Sequence, residues 1–463
     1  MDVCRRSHGD SVNSADFQRS RNILISISIR SNGKPSKDSN DKGLYPAFLA
    51  KQFLTIVFLL TIVVLLSTVL FNSFISEQKN EYEYRVRVEE LLREVVELIK
   101  EVRGFSLENV QVEIITINWA RENWGKSFAE ADRESIAREE RIYKALFMIS
   151  EDESLYEARV EWWGMIVSAV WQDKIYIVKE YFNPYDKLTA EKTLVHELTH
   201  IMQGKYFNIP YVTTFDGDKA KAALIEGDAC LMEEAFLNRT KEGLFTMEII
   251  FTPHEYFVRI PYTSKTGVYA RLPDSVSRLN YFPYEYGLRF VKTLYSEGGW
   301  QRVNYAYDNF PTTTEQIMHP EKYFINETNI PTEALTVPGD WQMVRSERFG
   351  EYFILVMLER WFSSTEAVKV AEGWGGDNFT YYEHGNDYLF TWNITWDSVN
   401  DASEFETSFR EMMRRVGAEE IDKDIWRKYE RKYSMIRKGV STIILCSTED
   451  EAVMEMLQLV GGE

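Results

Sequence analysis

A run of 23 residues without one ionisable side chain, FLTIVFLLTIVVLLSTVLFNSFI, begins at Phe53 and ends at Ile75. Nothing else in the chain limits its architecture as tightly. Backbone groups in hydrocarbon must be satisfied within the segment, and about 20 helical residues cross a bilayer core, so the run predicts one membrane-spanning helix. A cleaved signal peptide is the competing reading, but its apolar core would be about 7–15 residues long with a small-residue cleavage site behind it. The stretch LFNSFISEQ offers no clear one. An uncleaved signal anchor over 48–76 is the expectation. The first 52 residues hold nine Lys/Arg against five Asp/Glu, and SEQKNEYEYRVRVEE follows the run. This asymmetry predicts a single-pass protein of the cell membrane, its N-terminus cytoplasmic and its larger part outside.

Residues 1–47, rich in Ser, Asn, Arg and Lys, have no sustained periodicity and read as a disordered cytoplasmic tail. Lys51 directly before the apolar run resembles the start of a signal segment, which leaves open a chain that begins near there. The formal net charge is −19, so the part beyond residue 52 carries about −23 and disfavours nucleic acid as a partner. At 463 residues, 44% of them hydrophobic, the chain can bury a large core. Asn238, Asn326, Asn378 and Asn393 open glycosylation sequons, all after the apolar run, as in a glycoprotein. Cys4 would lie inside, whereas Cys230 and Cys446 would share the outer compartment. There they could form a disulfide or remain buried free thiols.

An amphipathic helix over 77–104 reads as a stalk, followed by a strand at VQVEIITINWA (110–120) and a helix near 132–149. The segment IVSAVWQDKIYIVKEYF (166–182) alternates about a QDK turn as a β-hairpin does. NPYDKLTAEKTLVHELTHIMQGKYF then reads as a helix entered near Asp186 or Thr189 and ending after Gly204.

That helix carries LVHELTHIMQ (194–203), which uses two of the six histidines. Residues four apart share a helix face, so the imidazoles of His196 and His200 can converge on one ion. Glu197, one helical step away, can reach a water on that ion as general base. Two histidines packed on an amphipathic helix are the plainer alternative. A third ligand is available in DKAKAALIEGDACLMEEAFL, a helix for which Asp218 is the expected N-cap. Glu226 stands there among Ala222, Ala223, Leu224, Ile225 and Ala229, and a carboxylate in such surroundings needs a partner. Asp228, about 200° round the helix, reads as a supporting or structural carboxylate. The glycines Gly373, Gly375 and Gly376 read as a tight turn before a strand.

With these residues in view the chain resembles the gluzincins, zinc peptidases in which an HExxH helix supplies two ligands and the next helix a glutamate. It is more closely similar to bacterial and archaeal secreted or membrane-anchored proteins of the peptidase MA type, with HELTHxxQ followed by EGDA. FPYEYGLRFVKTLYSEGGWQRVNYAY, PTTTEQIMHPEKY, GWGGDNF and WDSVNDASEFE extend the likeness over about 108–448. The resemblance implies Zn²⁺ held by His196, His200 and Glu226, with Glu197 as general base and a peptide or protein as substrate. An aspartate usually stands four residues after the ligand glutamate to orient a histidine; here Cys230 does, so that orientation must come from elsewhere. Gluzincins also present an edge strand to the peptide, for which DKIYIVKEY is the candidate. The oxyanion calls for a His or Tyr donor: His319 in EQIMHPEKY, with Tyr286 and Tyr284 of FPYEYG as rivals. His254 and His384 have no converging neighbours in sequence.

The expected architecture is α+β: a zincin-like catalytic domain over 105–345, its HExxH helix packed under a mixed sheet, and a C-terminal α/β region over 346–463 packed against it. The expected function is that of a membrane-anchored, extracytoplasmic zinc metallopeptidase. A catalytically silent binding or envelope-organising protein with a structural zinc is the alternative.

Overall fold

The computed structural model describes residues 44–242 and 273–461. The expected tail up to residue 43, with Cys4, and His254 lie outside the described residues. The chain divides into two compact units, Met1–Glu77 and Gln78–Glu463, and helix α1 (Leu44–Arg103) contributes to both. In the first unit its side chains from Phe53 to Ile75 are exposed, and among the described residues this is the one helix long and apolar enough to cross a membrane.

In the second unit the same helix is a core element. Val88, Leu91, Leu92, Val95, Leu98 and Ile99 recur at helical spacing, and all are buried. They pack against Ile175, Ile177, Phe182, Leu194 and Leu198. The stalk expected over 77–104 is therefore not free-standing from Val88 on: its apolar stripe is covered, each buried aliphatic contributing about 1.5–3 kcal/mol.

Strand β1 (Gln111–Ile115) is followed by Thr116, whose side chain caps α2 (Ile117–Ala120). A π-helical turn (Arg121–Lys126), α3 (Ser127–Ala131), α4 (Arg133–Ala145) and α5 (Leu155–Gly164) follow. Strands β2 (Ser168–Trp171) and β3 (Lys174–Val178) form the expected hairpin. Gln172 and Asp173 between them have φ of 50° and 59°, the left-handed pair of a type I′ turn. The sheet order is β1-β3-β2, with β3 parallel to β1 and antiparallel to β2. DKIYIVKEY is thus the central strand rather than an edge, because β1 occupies its other side; β1 and β2 are the two edges. One face of β3, through Ile175 and Ile177, meets α1 and α6 (Lys187–Tyr206), and the other, through Tyr176 and Val178, meets Trp124.

Asp186 caps α6, as expected. Helix α7 begins three residues before the expected cap and runs Phe215–Glu242, so Asp218 sits in its first turn. Helix α8 (Asp274–Asp308) is kinked at Gly298 and Gly299. Helices α7 and α8 touch backbone to backbone: a Cβ on Gly227 would lie 2.2 Å from the Gly287 carbonyl oxygen, and one on Gly287 2.2 Å from that of Ala223. Only glycine allows that approach.

Short helices α9 (Thr314–Met318) and α10 (Pro320–Phe324) lead to β4 (Gln342–Glu347), α11 (Glu351–Glu359) and α12 (Ser364–Ala371). Then come β5 (Trp374–His384), β6 (Asp387–Trp396), α13 (Val399–Arg415), β7 (Glu419–Asp422), β8 (Ile425–Lys428), β9 (Arg431–Lys438), β10 (Ser441–Ser447) and α14 (Asp450–Gly461). The seven strands β4 to β10 make an antiparallel sheet in the order β4-β5-β6-β10-β9-β8-β7. The fold class is α+β with a mixed sheet. The boundary expected at 345/346 falls inside β4, and one core cluster joins Ala223 and Phe290 to Phe353 and Trp392, so no seam runs there. Gly375 and Gly376 lie in β5 at a bulge, not in a turn: Ile330 approaches so closely that a Cβ on Gly376 would meet its carbonyl oxygen at 2.2 Å. Cys446 is buried and Cys230 partly buried, and both are free thiols.

Candidate metal centre

Helices α6 and α7 bring His196, His200 and Glu226 together. Glu226 Oε2 lies 3.2 Å from His196 Nε2 and 3.4 Å from His200 Nε2, and the two imidazole rings are 4.7 Å apart at 83°. Three donor atoms of three side chains thus face one point, as a zinc triad requires. Charge at this point is unbalanced toward anions. Burial disfavours the imidazolium of His196, yet bonds with Cys230, Glu226 and Glu233 outweigh it and hold its pKa well above the usual histidine range. Burial likewise works against ionised Glu226, but the two imidazoles pull its pKa far below that of an ordinary carboxylate. The cluster favours a cation at its centre.

Each imidazole has its outer nitrogen occupied. His196 Nδ1 lies 2.7 Å from Glu233 Oε1, whose other oxygen accepts from Lys192 Nζ at 2.9 Å. A carboxylate can only accept, so Nδ1 carries a proton, and Nε2, which faces Glu226, is the nitrogen left to bind an ion that displaces its own proton. Glu233 therefore supplies the orientation that the position of Cys230 lacks. It is seven residues beyond Glu226, two turns along the same face, a signal present in sequence but lost among 72 acidic residues. His200 Nδ1 lies 2.8 Å from Gln203 Oε1, and Gln203 Nε2 donates to the Ile225 carbonyl at 2.9 Å and to Asp228 Oδ2 at 3.2 Å. Asp228 is thus a supporting carboxylate, as its position on the helix suggested.

A second donor group, His196, Cys230 and Glu233, shares one imidazole with the first. It fits an ion less well: Lys192 already neutralises Glu233, and burial pushes the Cys230 thiol up, away from the thiolate a metal needs.

Glu197 is buried at 5% exposure, and Ser168 Oγ on β2 donates to its Oε1 at 2.7 Å. Its other oxygen, Oε2, is buried without a partner. A carboxylate with one oxygen anchored and one uncommitted is what a general base beside the triad requires. Ser168 gave no sign of this role in sequence. It also ties the edge strand β2 to α6 at Glu197. The two-residue turn makes Trp171 with Lys174 and Ala169 with Tyr176 the mutually hydrogen-bonded pairs, and Val178 N–H donates to the Val167 carbonyl. The N–H and C=O of Ser168 and Val170 therefore point outward, away from β3.

The donors expected for the oxyanion are distributed differently. The Tyr284 ring lies 6.5 Å from that of His196, and burial together with the charges of Glu226, Cys230 and Glu197 raises its pKa well above the usual tyrosine value. Tyr286, two residues on, faces Phe282 and Tyr352 at 5.2 Å each. The ring of His319, between α9 and α10, is taken by Glu351 Oε1 at 3.0 Å and is 3.9 Å from Glu321. The structure brings Tyr284 to the centre and leaves Tyr286 and His319 out of it. His384, on β5, pairs with Glu449 at 3.6 Å, equally apart from it.

A family described as Domain of unknown function (DUF8575) matches residues 337–457. The match covers the seven-stranded sheet and its helices and includes none of His196, Glu197, His200 and Glu226. No curated protein and no solved structure matches the chain.

Proposed function

We propose that the chain is a zinc-dependent metallopeptidase of the gluzincin type, with a zincin-like arrangement of α6, α7 and the β1-β3-β2 sheet. The observation that carries this reading is the convergence of His196 Nε2, His200 Nε2 and Glu226 Oε2 beside the unpartnered Oε2 of Glu197. Bound there, zinc would polarise a carbonyl and acidify a water. The remaining work falls to the chain. An extended peptide pairs with the outward N–H and C=O of Ser168 and Val170 on β2, which sets its carbonyl carbon across the face of α6. Glu197, fixed through Oε1 by Ser168, takes the proton of the attacking water at Oε2 and returns it to the leaving amine. The Tyr284 phenol, protonated at neutral pH, donates to the oxyanion that forms.

The basic excess before Phe53 supports a cytoplasmic N-terminus and an extracytoplasmic peptidase unit, Gln78–Glu463. Glu197→Gln keeps size and hydrogen-bonding capacity but removes basicity. In full-length protein in detergent, hydrolysis of a mixed peptide library should fall by at least about 10²-fold while bound zinc is unchanged. Equal cleavage by the variant with zinc in place would remove the mechanism. A parent that binds zinc and cleaves nothing in the library would favour the silent binder.

A further inference from the structure

The tautomer of His200 rests on an amide, and an amide can turn round. A carboxylate beside a histidine enforces the proton's position, whereas Gln203 would serve equally well with Nε2 toward the ring, which would place the proton on His200 Nε2 and close the nitrogen that faces Glu226. Two acceptors hold one of these states: Asp228 Oδ2 and the Ile225 carbonyl can only accept, so both draw Gln203 Nε2 toward them and leave Oε1 for His200.

Asp228 is itself held. Its side chain and that of Arg103 are both 0% exposed, and Arg103 Nη1 donates to Oδ1 at 2.5 Å. The guanidinium is fixed in turn: Nη2 donates to Asn304 Oδ1 at 2.6 Å, and the Trp300 ring lies 4.3 Å beneath it. Tyr307 donates its hydroxyl to Oδ2 at 2.8 Å. These donors fix the direction of both Asp228 oxygens, so Oδ2 stays turned toward Gln203. A neutral group in its place could offer Gln203 a donor instead of an acceptor.

We propose that Arg103 is a positioning residue of the metal centre, acting through Asp228 and Gln203 to keep the His200 Nε2 lone pair directed at the ion. The residue ends α1, far in sequence from both ligand helices, and makes the last turn of that helix part of the site's construction. The proposal rests on the zinc reading of the triad, but not on peptidase activity.

The test is zinc affinity of the full-length protein in detergent, measured by competition with a chelator, alongside the melting temperature of the zinc-free form. Asp228→Asn presents an amide N–H₂ to Gln203 and should turn it, weakening zinc binding by about 10- to 100-fold. Arg103→Met should weaken it similarly, with Arg103→Lys, which keeps a cation on Asp228, recovering part of the loss. The decisive arm is Asp228→Asn combined with Gln203→Glu. A carboxylate at 203 can only accept from His200, so zinc affinity should return to within about threefold of the parent even though the Asp228 charge is still missing. A purely structural role for the ion pair would lower melting in every Asp228→Asn chain and give no such rescue. Parent-like zinc affinity in Asp228→Asn, or an unrescued double variant, overturns the proposal. A parent that binds no zinc overturns it together with the metal reading, whereas a parent that binds zinc but cleaves nothing removes only the peptidase reading.

Discussion

His196, Glu197, His200 and Glu226 were legible in the sequence because helical spacing is local and histidine is scarce in this chain. The residues that make the group work were harder to read. Glu233 and Gln203 hold the imidazoles, and Ser168 anchors Glu197, through pairings across α6, α7 and β2 that no local pattern announces. Scarcity also misled: His319 is of the same rare residue type as His196 and His200, yet a buried glutamate 32 residues on, Glu351, has claimed its ring. The two tyrosines of FPYEYG differ by about 200° on α8, so only one can face His196, and which one depends on how α8 is rotated against α7. Placement of Tyr284 at the oxyanion predicts that Tyr284→Phe lowers kcat on a cleaved peptide by about 10- to 1000-fold with little change in KM. Tyr286→Phe, in its packing with Phe282 and Tyr352, should leave kcat within about twofold of the parent; the reverse ranking would assign the role to the wrong tyrosine.

At the scale of elements, helices α1, α4, α6 and α7 and the hairpin were readable from their periods. The strand read over 110–120 instead ends at Ile115 and gives way to α2, and the partners of all of them were not readable. The apolar stripe of α1 from Val88 to Ile99 is visible in sequence as an amphipathic helix, and the sequence does not say whether water or protein covers it. The same holds for the hairpin, where alternation fixes the pairing of β2 with β3 and is silent on β1, whose arrival turns β3 into a central strand. Glycines in helix interiors are a clearer sign of contact. Gly227, directly after the candidate ligand Glu226, and Gly287, one turn beyond Tyr284, let α7 and α8 meet at backbone distance and so bring Tyr284 toward His196. A methyl group at either position must drive the helices apart, because the obstructing atoms are backbone. Gly227→Ala and Gly287→Ala should each destabilise by at least about 1–3 kcal/mol, seen as a lower melting temperature. Melting at or above the parent's value in either variant would contradict the packing.

For the whole molecule, the α+β class and the long apolar helix followed from composition and pattern, whereas the seven-stranded order and its continuity with the core around α7 and α8 rest on contacts far apart in sequence. One such junction is polar. His319 meets Glu351 and Glu321, and Lys322 joins Glu315, Glu327 and Asp397, so α9 and α10 are tied to α11 and to the end of β6. Burial opposes charge on His319, but the bond to Glu351 raises its pKa to about 9. A raised histidine stabilises the fold fully below its unfolded value of about 6.5, and that contribution disappears as pH climbs through 9. Burial raises Glu315 to about 7 against the pull of Lys322, so its ionisation also counts against the fold between about 4.5 and 7. Both signs agree: melting temperature should fall between pH 6 and pH 9.5, and His319→Gln should flatten the part of that fall above pH 7. A melting temperature that rises over this interval would contradict the assignment.

The central claim, a zinc held by His196, His200 and Glu226, is tested most directly by X-ray absorption at the zinc edge of the full-length protein loaded with one equivalent. Zinc on these three side chains gives nearest neighbours of nitrogen and oxygen alone, at about 2.0–2.2 Å, with the outer scattering of two imidazoles. Outer scattering from one of those rings should disappear in His200→Ala. A sulfur scatterer at about 2.3 Å would place the ion on Cys230 instead, with His196 and Glu233, and would contradict the centre described here.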